Sequence, residues 1–295
     1  MFRVRRLLAP FVLCIALLFS EAQAFTIAWL SDTQNYHNAY KPIFDGMTQW
    51  IADNRAALDI RFVFHTGDVV GSWSSEDQWR QARESMDILS SASIPFLAAC
   101  GNHDIGYRMN YANFLKYVLS LRPASISQEY GDTGSRYELF SANGRDYIFM
   151  GIAFSNKGPG EDEVNWINGV LRQYSSRDAI IITHSYLKKS AAYTTQGKAI
   201  FEKIVKANPN VFLVLCGHCR DISYKNVQLD DDGDGDPDRT VYAILSNFQG
   251  SKAGGGGYMR ILDFRDSDIY IYTYSPYYDS CEYPKGKTEA TVPLP

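Results

Sequence analysis

The stretch IRFVFHTGD, residues 60–68, decides how this chain is read. The run Ile60–Thr66 carries Ile60, Phe62, Val63 and Phe64, apolar enough for a strand buried on both faces, and Gly67-Asp68 then puts a sharp turn and a carboxylate at its end. The arrangement recurs. Phe25–Ser31 leads to Asp32, Ile94–Cys100 to Gly101-Asn102-His103-Asp104, Ala179–Thr183 to His184, and Val211–Cys216 to Gly217-His218. Taken singly, a Gly-Asp or a lone histidine is an ordinary turn, cap or structural residue. Five strand ends that each deliver an oxygen or imidazole donor predict a divalent metal site assembled from distant segments.

Between these strands lie helical patterns. Pro42–Arg55, with proline in a first helical turn and Met47, Trp50 and Ile51 on one face, follows the first strand; Glu76–Ser91, with Trp79, Met86 and Leu89, follows the second. The second half is richer in strand: Arg136–Phe140, Asp146–Phe154, Ala179–Thr183, Val211–Cys216, Thr240–Ser246, Tyr258–Phe264 and Asp268–Tyr274, with helices at Glu161–Tyr174 and Gln196–Ala207. This order predicts an α/β fold, a four-layer αββα sandwich of two mixed β-sheets flanked by helices. Ala253–Gly257 and the last dozen residues read as the least structured segments, and Tyr107–Gly134 as loop near the site.

The amino terminus reads as a signal peptide over residues 1–24. Arg3, Arg5 and Arg6 precede an apolar run from Leu7 to Phe19, and Ala22-Gln23-Ala24 supplies small residues for cleavage after Ala24. The run is shorter than the roughly 20 residues that span a bilayer, so no stable membrane anchor is expected after cleavage. Bulky Val12 and Leu13 before Cys14 argue against a lipid-modified cysteine. Residues 25–295 then form a single domain, secreted or periplasmic. Losing three arginines and one glutamate takes the net charge from −4 to −6, which opposes a nucleic-acid-binding surface but leaves small phosphorylated substrates open. Cys100, Cys216, Cys219 and Cys281 allow up to two disulfides in three pairings. Because His218 lies inside Cys216-x-x-Cys219 and belongs to another motif, a buried thiol or structural bridge is expected there rather than a redox pair.

Each candidate has its chemistry. Asp68 can bridge two cations. Asn102 offers a neutral carbonyl oxygen, His103 can donate a proton, and Asp104 can accept the other imidazole hydrogen and orient the ring. His184 and His218 stand at strand mouths as imidazole ligands. The acidic run at residues 230–238 contains D-x-D-x-D-G at Asp230, Asp232 and Asp234, suited to calcium; Val241 at the twelfth position rules out a complete EF-hand, and a solvated turn joining two strands is the competing reading. No G-x-S-x-G occurs, and Gly286-Lys287-Thr288 lacks the first glycine and the helix of a phosphate loop.

Together these blocks resemble the calcineurin-like metallophosphoesterases, whose motifs run D-x-H, G-D-x-x-D or G, G-N-H-D or E, a lone histidine, and G-H-x-H. The counterparts here, in that order, are Asp32-Thr33-Gln34, Gly67-Asp68-Val69-Val70-Gly71, Gly101-Asn102-His103-Asp104, His184 and Gly217-His218-Cys219-Arg220. Ser31-Asp32-Thr33-Gln34, residues 232–235 and residues 237–242 look like a secreted bacterial subgroup. The resemblance implies a phosphoesterase that hydrolyses a phosphomonoester or phosphodiester through in-line attack by metal-bound hydroxide. One or two ions of manganese, iron or zinc would be held with Asp68 as bridge: Asn102, His184 and His218 at one ion, Asp32 and Gln34 at the other, and His103 as proton donor. Two departures stand out, because Gln34 and Arg220 replace histidines. Arg220 then clamps a phosphate oxygen, or His37 or Asp221 substitutes as ligand, or catalysis is lost and the chain is an exported binding module with a calcium-stabilised acidic loop.

Overall fold

Residues 25–100 build the β-α-β-α-β unit that the apolar pattern predicts. Strand β1 (Phe25–Leu30) pairs in parallel with β2 (Ile60–His65), and β2 with β3 (Phe96–Ala98), through the crossover helices α1 (Lys41–Asp53) and α2 (Glu76–Ser91). Pro42 lies in the first turn of α1, and the Ser75 hydroxyl caps α2 by accepting from the Gln78 N–H. Each helix turns one stripe inward: Ile43, Phe44, Met47 and Ile51 from α1, and Trp79, Ala82, Met86 and Leu89 from α2. This computed structural model describes residues 24–106, 109–121, 127–283 and 289–295. All but the last residue of the expected leader, parts of Tyr107–Gly134, and Gly286-Lys287-Thr288 lie outside the described residues.

Two short helices follow, α3 (Asn102–Ile105) and α4 (Ala112–Tyr117), and then β4 (Ser127–Tyr130), β5 (Ser135–Ala142) and β6 (Arg145–Ile152). Helix α5 (Glu161–Gln173) leads to β7 (Asp178–Thr183). Helix α6 (Thr195–Ile200), prolonged by a π-helical turn over Phe201–Val205, leads to β8 (Val211–Cys216). Strands β9 (Asp221–Leu229) and β10 (Arg239–Asn247) form a hairpin, and β11 (Met259–Phe264), β12 (Asp268–Tyr274) and β13 (Ala290–Pro293) close the order. Among the described residues one sheet runs β13-β12-β11-β1-β2-β3 and the other β4-β5-β6-β7-β8-β10-β9. Both are mixed: β6, β7, β8 and β10 are parallel neighbours, while β4, β5 and β9 run antiparallel at the margins.

The expected four layers follow from period-two alternation on strands buried on both faces. In β1, Phe25, Ile27 and Trp29 enter the layer between the sheets, and Ala28 and Leu30 face α1 and α2. In β7, Ile180 and Ile182 face the other sheet, and Ala179 and Ile181 pack with α5 and α6. Two expectations are corrected. The last dozen residues are not structureless, since β13 pairs with β12 and drops Val292 into the inter-sheet core. The segment 221–229, absent from the expected strands, is an edge strand whose half-exposed face hides its periodicity. Ala253–Gly257 is an irregular turn, with positive φ at Ala253 and at Gly254–Gly257. All four cysteines among the described residues are free thiols, so none of the permitted disulfides forms and Cys216 is the buried thiol of the two alternatives.

Candidate metal centre

The parallel strands of both sheets deliver the site from their carboxyl ends. Asp32, Asp68 and Asn102 come just after β1, β2 and β3, and His184 and His218 just after β7 and β8. Asp32, Asp68 and His218 have φ values of 52°, 55° and 68°, in the left-handed region. Such backbone costs about 1–3 kcal/mol per residue and persists only where the surroundings over-determine it, here by turning three ligand side chains back toward one point.

The centre of that point is His184 Nε2. It lies 3.1 Å from Asn102 Oδ1, 3.2 Å from His218 Nδ1 and 3.3 Å from Asp68 Oδ1, while Nδ1 of the same ring donates to the Thr66 carbonyl at 2.9 Å. Four lone-pair-bearing atoms therefore converge, with Asp68 and His184 buried and Asn102 and His218 half-buried, and a proton on His184 Nε2 serves only one of them well. A cation serves all four: ligand atoms about 2.0–2.2 Å from a metal are separated from one another by about 3.0–3.4 Å. The residues present thus fit a divalent ion. Burial alone would drive the His184 imidazole down, but the adjoining Asp68 carboxylate reverses this and lifts it to about 9. Burial and the charge of His184 push His218 down to about 4.

Gln34 meets the other carboxylate oxygen of Asp68, and Asp32 lies against the His218 backbone. Asp32 accepts from the His218 N–H at 3.1 and 3.2 Å and from the Ser31 hydroxyl, and burial raises its carboxyl to about 7. Gln34 Nε2 donates to Asp68 Oδ2 at 3.1 Å and to Gln249 Oε1 at 2.6 Å. Gln249 had no place in the sequence reading, although Asn247-Phe248-Gln249 follows the end of a predicted strand just as the recognised motifs do. Asn247 binds the His218 carbonyl through Nδ2 and the Gln249 N–H through Oδ1, both at 2.9 Å. His65, buried inside β2, was also missed. Its Nε2 donates to Thr33 Oγ1, its Nδ1 accepts from the Gly67 N–H, and burial drives its titration down to about 3.

His103 and Asp104 part company. His103 is exposed; its backbone N–H donates to Asp68 Oδ1 at 2.9 Å, and its Nδ1–H donates to the Gly71 carbonyl at 2.9 Å, leaving Nε2 facing outward. The expected imidazole contact with Asp104 is not made. Asp104 is fully buried and spends its oxygens on three backbone N–H groups, Val69 at 2.8 Å, Val70 at 3.1 Å and Gly101 at 2.7 Å. It fastens the two ligand loops together, and Gly71 orients the ring.

The glycines permit the close approach. A Cβ on Gly101 would stand 2.8 Å from Asp68 Cγ, and one on Gly217 2.6 Å from Ser31 Oγ and nearer still to Asp32 Oδ2. Arg220 is exposed at the rim, with Cδ against Gly250. Neither suggested substitute ligand reaches the site: Asp221 pairs with Lys189 at 2.5 Å, and His37 is a surface residue beside Asn38. In the acidic turn, the carboxylates of Asp230, Asp232 and Asp238 gather, so Asp238 stands where Asp234 was expected. The turn joins β9 to β10, and N–H groups within it take up the carboxylates of Asp230, Asp232, Asp234 and Asp238.

The calcineurin-like phosphoesterase family model matches residues 25–219. The chain is 41% identical over 259 residues to the uncharacterized protein YvnB of Bacillus subtilis (strain 168), a match covering 86% of this chain and 20% of that protein. It therefore spans about one fifth of the length of that curated relative. Among solved structures it resembles a dimetal phosphatase from Danio rerio (TM-score 0.61, 11% identity, 91% of this chain and 98% of that one). It also resembles the purple acid phosphatase PPD1 of yellow lupin, Lupinus luteus, seeds (TM-score 0.61, 12% identity, 92% of this chain and 55% of that one). These likenesses show the fold. The family match covers most of the chain, which belongs to the calcineurin-like phosphoesterases.

Proposed function

We propose that this calcineurin-like phosphoesterase is an exported hydrolase that cleaves a phosphoric ester of a small substrate, with Asp68, Asn102, His184 and His218 holding a divalent cation and His103 as proton donor. The observation that carries the reading is the convergence on His184 Nε2 of an amide oxygen, a carboxylate oxygen and a second imidazole nitrogen within 3.3 Å. Manganese, iron or zinc suits this mixed nitrogen and oxygen set. When bound, such an ion supplies Lewis acidity toward a phosphoryl oxygen and lowers the pKa of water.

The protein's own groups do the rest. The Thr66 carbonyl fixes the His184 tautomer, so that Nε2 presents its lone pair inward. The Gly71 carbonyl does the same for His103 with the opposite result, since Nε2 is the nitrogen left to face a departing ester oxygen. As a water oxygen displaces that oxygen in line at phosphorus, protonated His103 hands it the Nε2 proton, so a neutral alcohol leaves instead of an alkoxide. Arg220, cationic at the rim, anchors a phosphoryl oxygen of a mono- or diester. Export is supported by the leader-like residues 1–24.

The test is hydrolysis of p-nitrophenyl phosphate and bis(p-nitrophenyl) phosphate by residues 25–295 with manganese, compared with His103→Ala. A loss of about 10²–10⁴ in kcat with unchanged metal content is expected. Equal rates for the two proteins would remove the enzymatic reading and leave the binding-module alternative.

A further inference from the structure

The two oxygens of Asp68 face different surroundings. Oδ1 is turned to His184 and to the His103 N–H, the side of the four converging donors. Oδ2, the oxygen a second ion would need for a bridge, accepts instead from Gln34 Nε2 at 3.1 Å. The other hydrogen of that amide goes to Gln249 Oε1 at 2.6 Å. Both N–H bonds are thus committed, and an amide nitrogen is not a ligand; the one ligand atom of the amide, Gln34 Oε1, is buried without a hydrogen-bond partner, while the group that meets Asp68 Oδ2 is the N–H.

Among the described residues no further histidine makes good the deficit. The chain has five histidines. His184 and His218 belong to the first ion, His103 is held by Gly71, His65 lies beneath Thr33, and His37 sits at the surface by Asn38. Asp32 already receives the Ser31 hydroxyl and the His218 N–H, and Asp221 is tied to Lys189. Arg220, which stands where the family motif has a histidine, is exposed, and its Cδ lies against Gly250, next in sequence to Gln249. A fixed positive charge opposes a second cation and favours the oxygens of a phosphoryl group.

We infer that this protein binds a single divalent cation, and that the Gln34–Gln249 amide pair occupies the place a second ion would take. The inference rests on the metal-dependent reading above and narrows it to a one-metal centre in which Arg220 supplies the remaining positive charge. It gives Gln249 a positioning role through Gln34, and it separates the chain from proteins that clamp phosphate between two ions.

The experiment counts metal rather than turnover. Residues 25–295 carrying Asp230→Ala, which dismantles the acidic turn as a competing site, are stripped with chelator and dialysed against manganese. Bound metal is then measured by plasma emission and by the manganese electron paramagnetic resonance spectrum. One equivalent with an uncoupled six-line spectrum is expected. In the same background, Gln34→His combined with Arg220→His is expected to take up two equivalents with an exchange-coupled spectrum, because imidazoles replace the Gln34 amide at Asp68 and the cationic Arg220 side chain. Two equivalents in the parent would overturn the single-ion inference while leaving the metal-dependent reading intact. No bound metal in the parent would overturn both. The parent count decides the matter even if the double variant does not fold.

Discussion

Replacing Gly101 by alanine tests the steric logic of the site apart from any conformational effect. Gly101 has φ −103° and ψ 179°, extended backbone that alanine adopts without cost. Its methyl group would nevertheless lie 2.8 Å from Asp68 Cγ and closer to Asp68 Oδ1 and N. Carbon contacts relax at about 3.5–4.0 Å, so the loops carrying Asp68 and Asn102 must separate by about 1 Å. Overpacking of this kind costs about 1–3 kcal/mol of stability. The functional cost is greater, because both loops carry ligands and a misplacement of about 1 Å is worth about 100-fold in rate. The assay pairs kcat/KM for p-nitrophenyl phosphate with calorimetric manganese affinity. Gly46→Ala serves as control: Gly46 is on the exposed side of α1 with nothing within 4 Å of a new Cβ. That substitution is expected to add about 0.5–1 kcal/mol of stability and leave activity unchanged. Gly101→Ala is expected to lose about 100-fold in kcat/KM and to bind manganese weakly. If it instead bound manganese within twofold of the parent and turned over normally, the close approach of these loops would not be what places Asp68.

Asp104→Asn, which can keep at most part of a three-donor carboxylate, should lower stability by about 2–3 kcal/mol by thermal melting and, by loosening the two ligand loops, weaken manganese affinity along with it. A selective loss of activity at unchanged Tm would restore Asp104 as the orienting partner of His103. His184 titrates higher in the folded, metal-free protein, about 9, than in the unfolded chain, about 6.5. Its contribution to stability is therefore complete below about pH 6.5 and lost as the pH rises through 9. The Tm of chelator-treated protein should fall across that window, and a His184→Gln variant should lack this component; identical slopes would argue against a proton held in place of the cation. Over the same window manganese affinity should rise, because binding must displace the proton, and calorimetry in buffers of different ionisation enthalpy reads its release directly. The proposed export predicts a mature chain whose N-terminal sequence begins at Phe25, and a mature chain that retains the arginine-rich segment would refute the proposed cleavage.

Most of the architecture could be read from the chain because its informative strands are buried on both faces. β1, β2, β7 and β8 stand out as predominantly apolar runs, and a polar residue that follows such a run marks the rim of a sheet. Asp32, Asp68, Asn102, His184 and His218 were found that way. Edge strands were harder, since β9 and β13 alternate weakly and owe their form to neighbours distant in sequence. Partner choice was harder still. Asp104 next to His103 suggests a bond between them, but residues 102–105 turn as a helix, and adjacent side chains on a helix diverge. The Asp104 carboxylate instead meets the backbone of Val69 and Val70, some 35 residues earlier. Gln249 escaped notice because glutamine carries no motif; its position after a buried strand was the available signal.

The way the centre is divided sets what controls it. Asp68 and Asn102 stand on one sheet and His184 and His218 on the other, so their separation of little more than 3 Å depends on how the sheets sit face to face. That spacing is fixed by aromatic packing: Phe149 of β6 meets Phe62 and Phe64 of β2 edge-on at 5.0 and 4.9 Å, and a Cβ on Gly151 would come within 2.8 Å of Leu97. Interiors packed this closely pass a displacement on instead of absorbing it. A cavity opened at Phe149, which makes no contact with the ligands, should therefore loosen the metal through the strands that carry them. The same change on a helix face, such as Leu171 in α5, should cost stability and leave the ligand spacing alone.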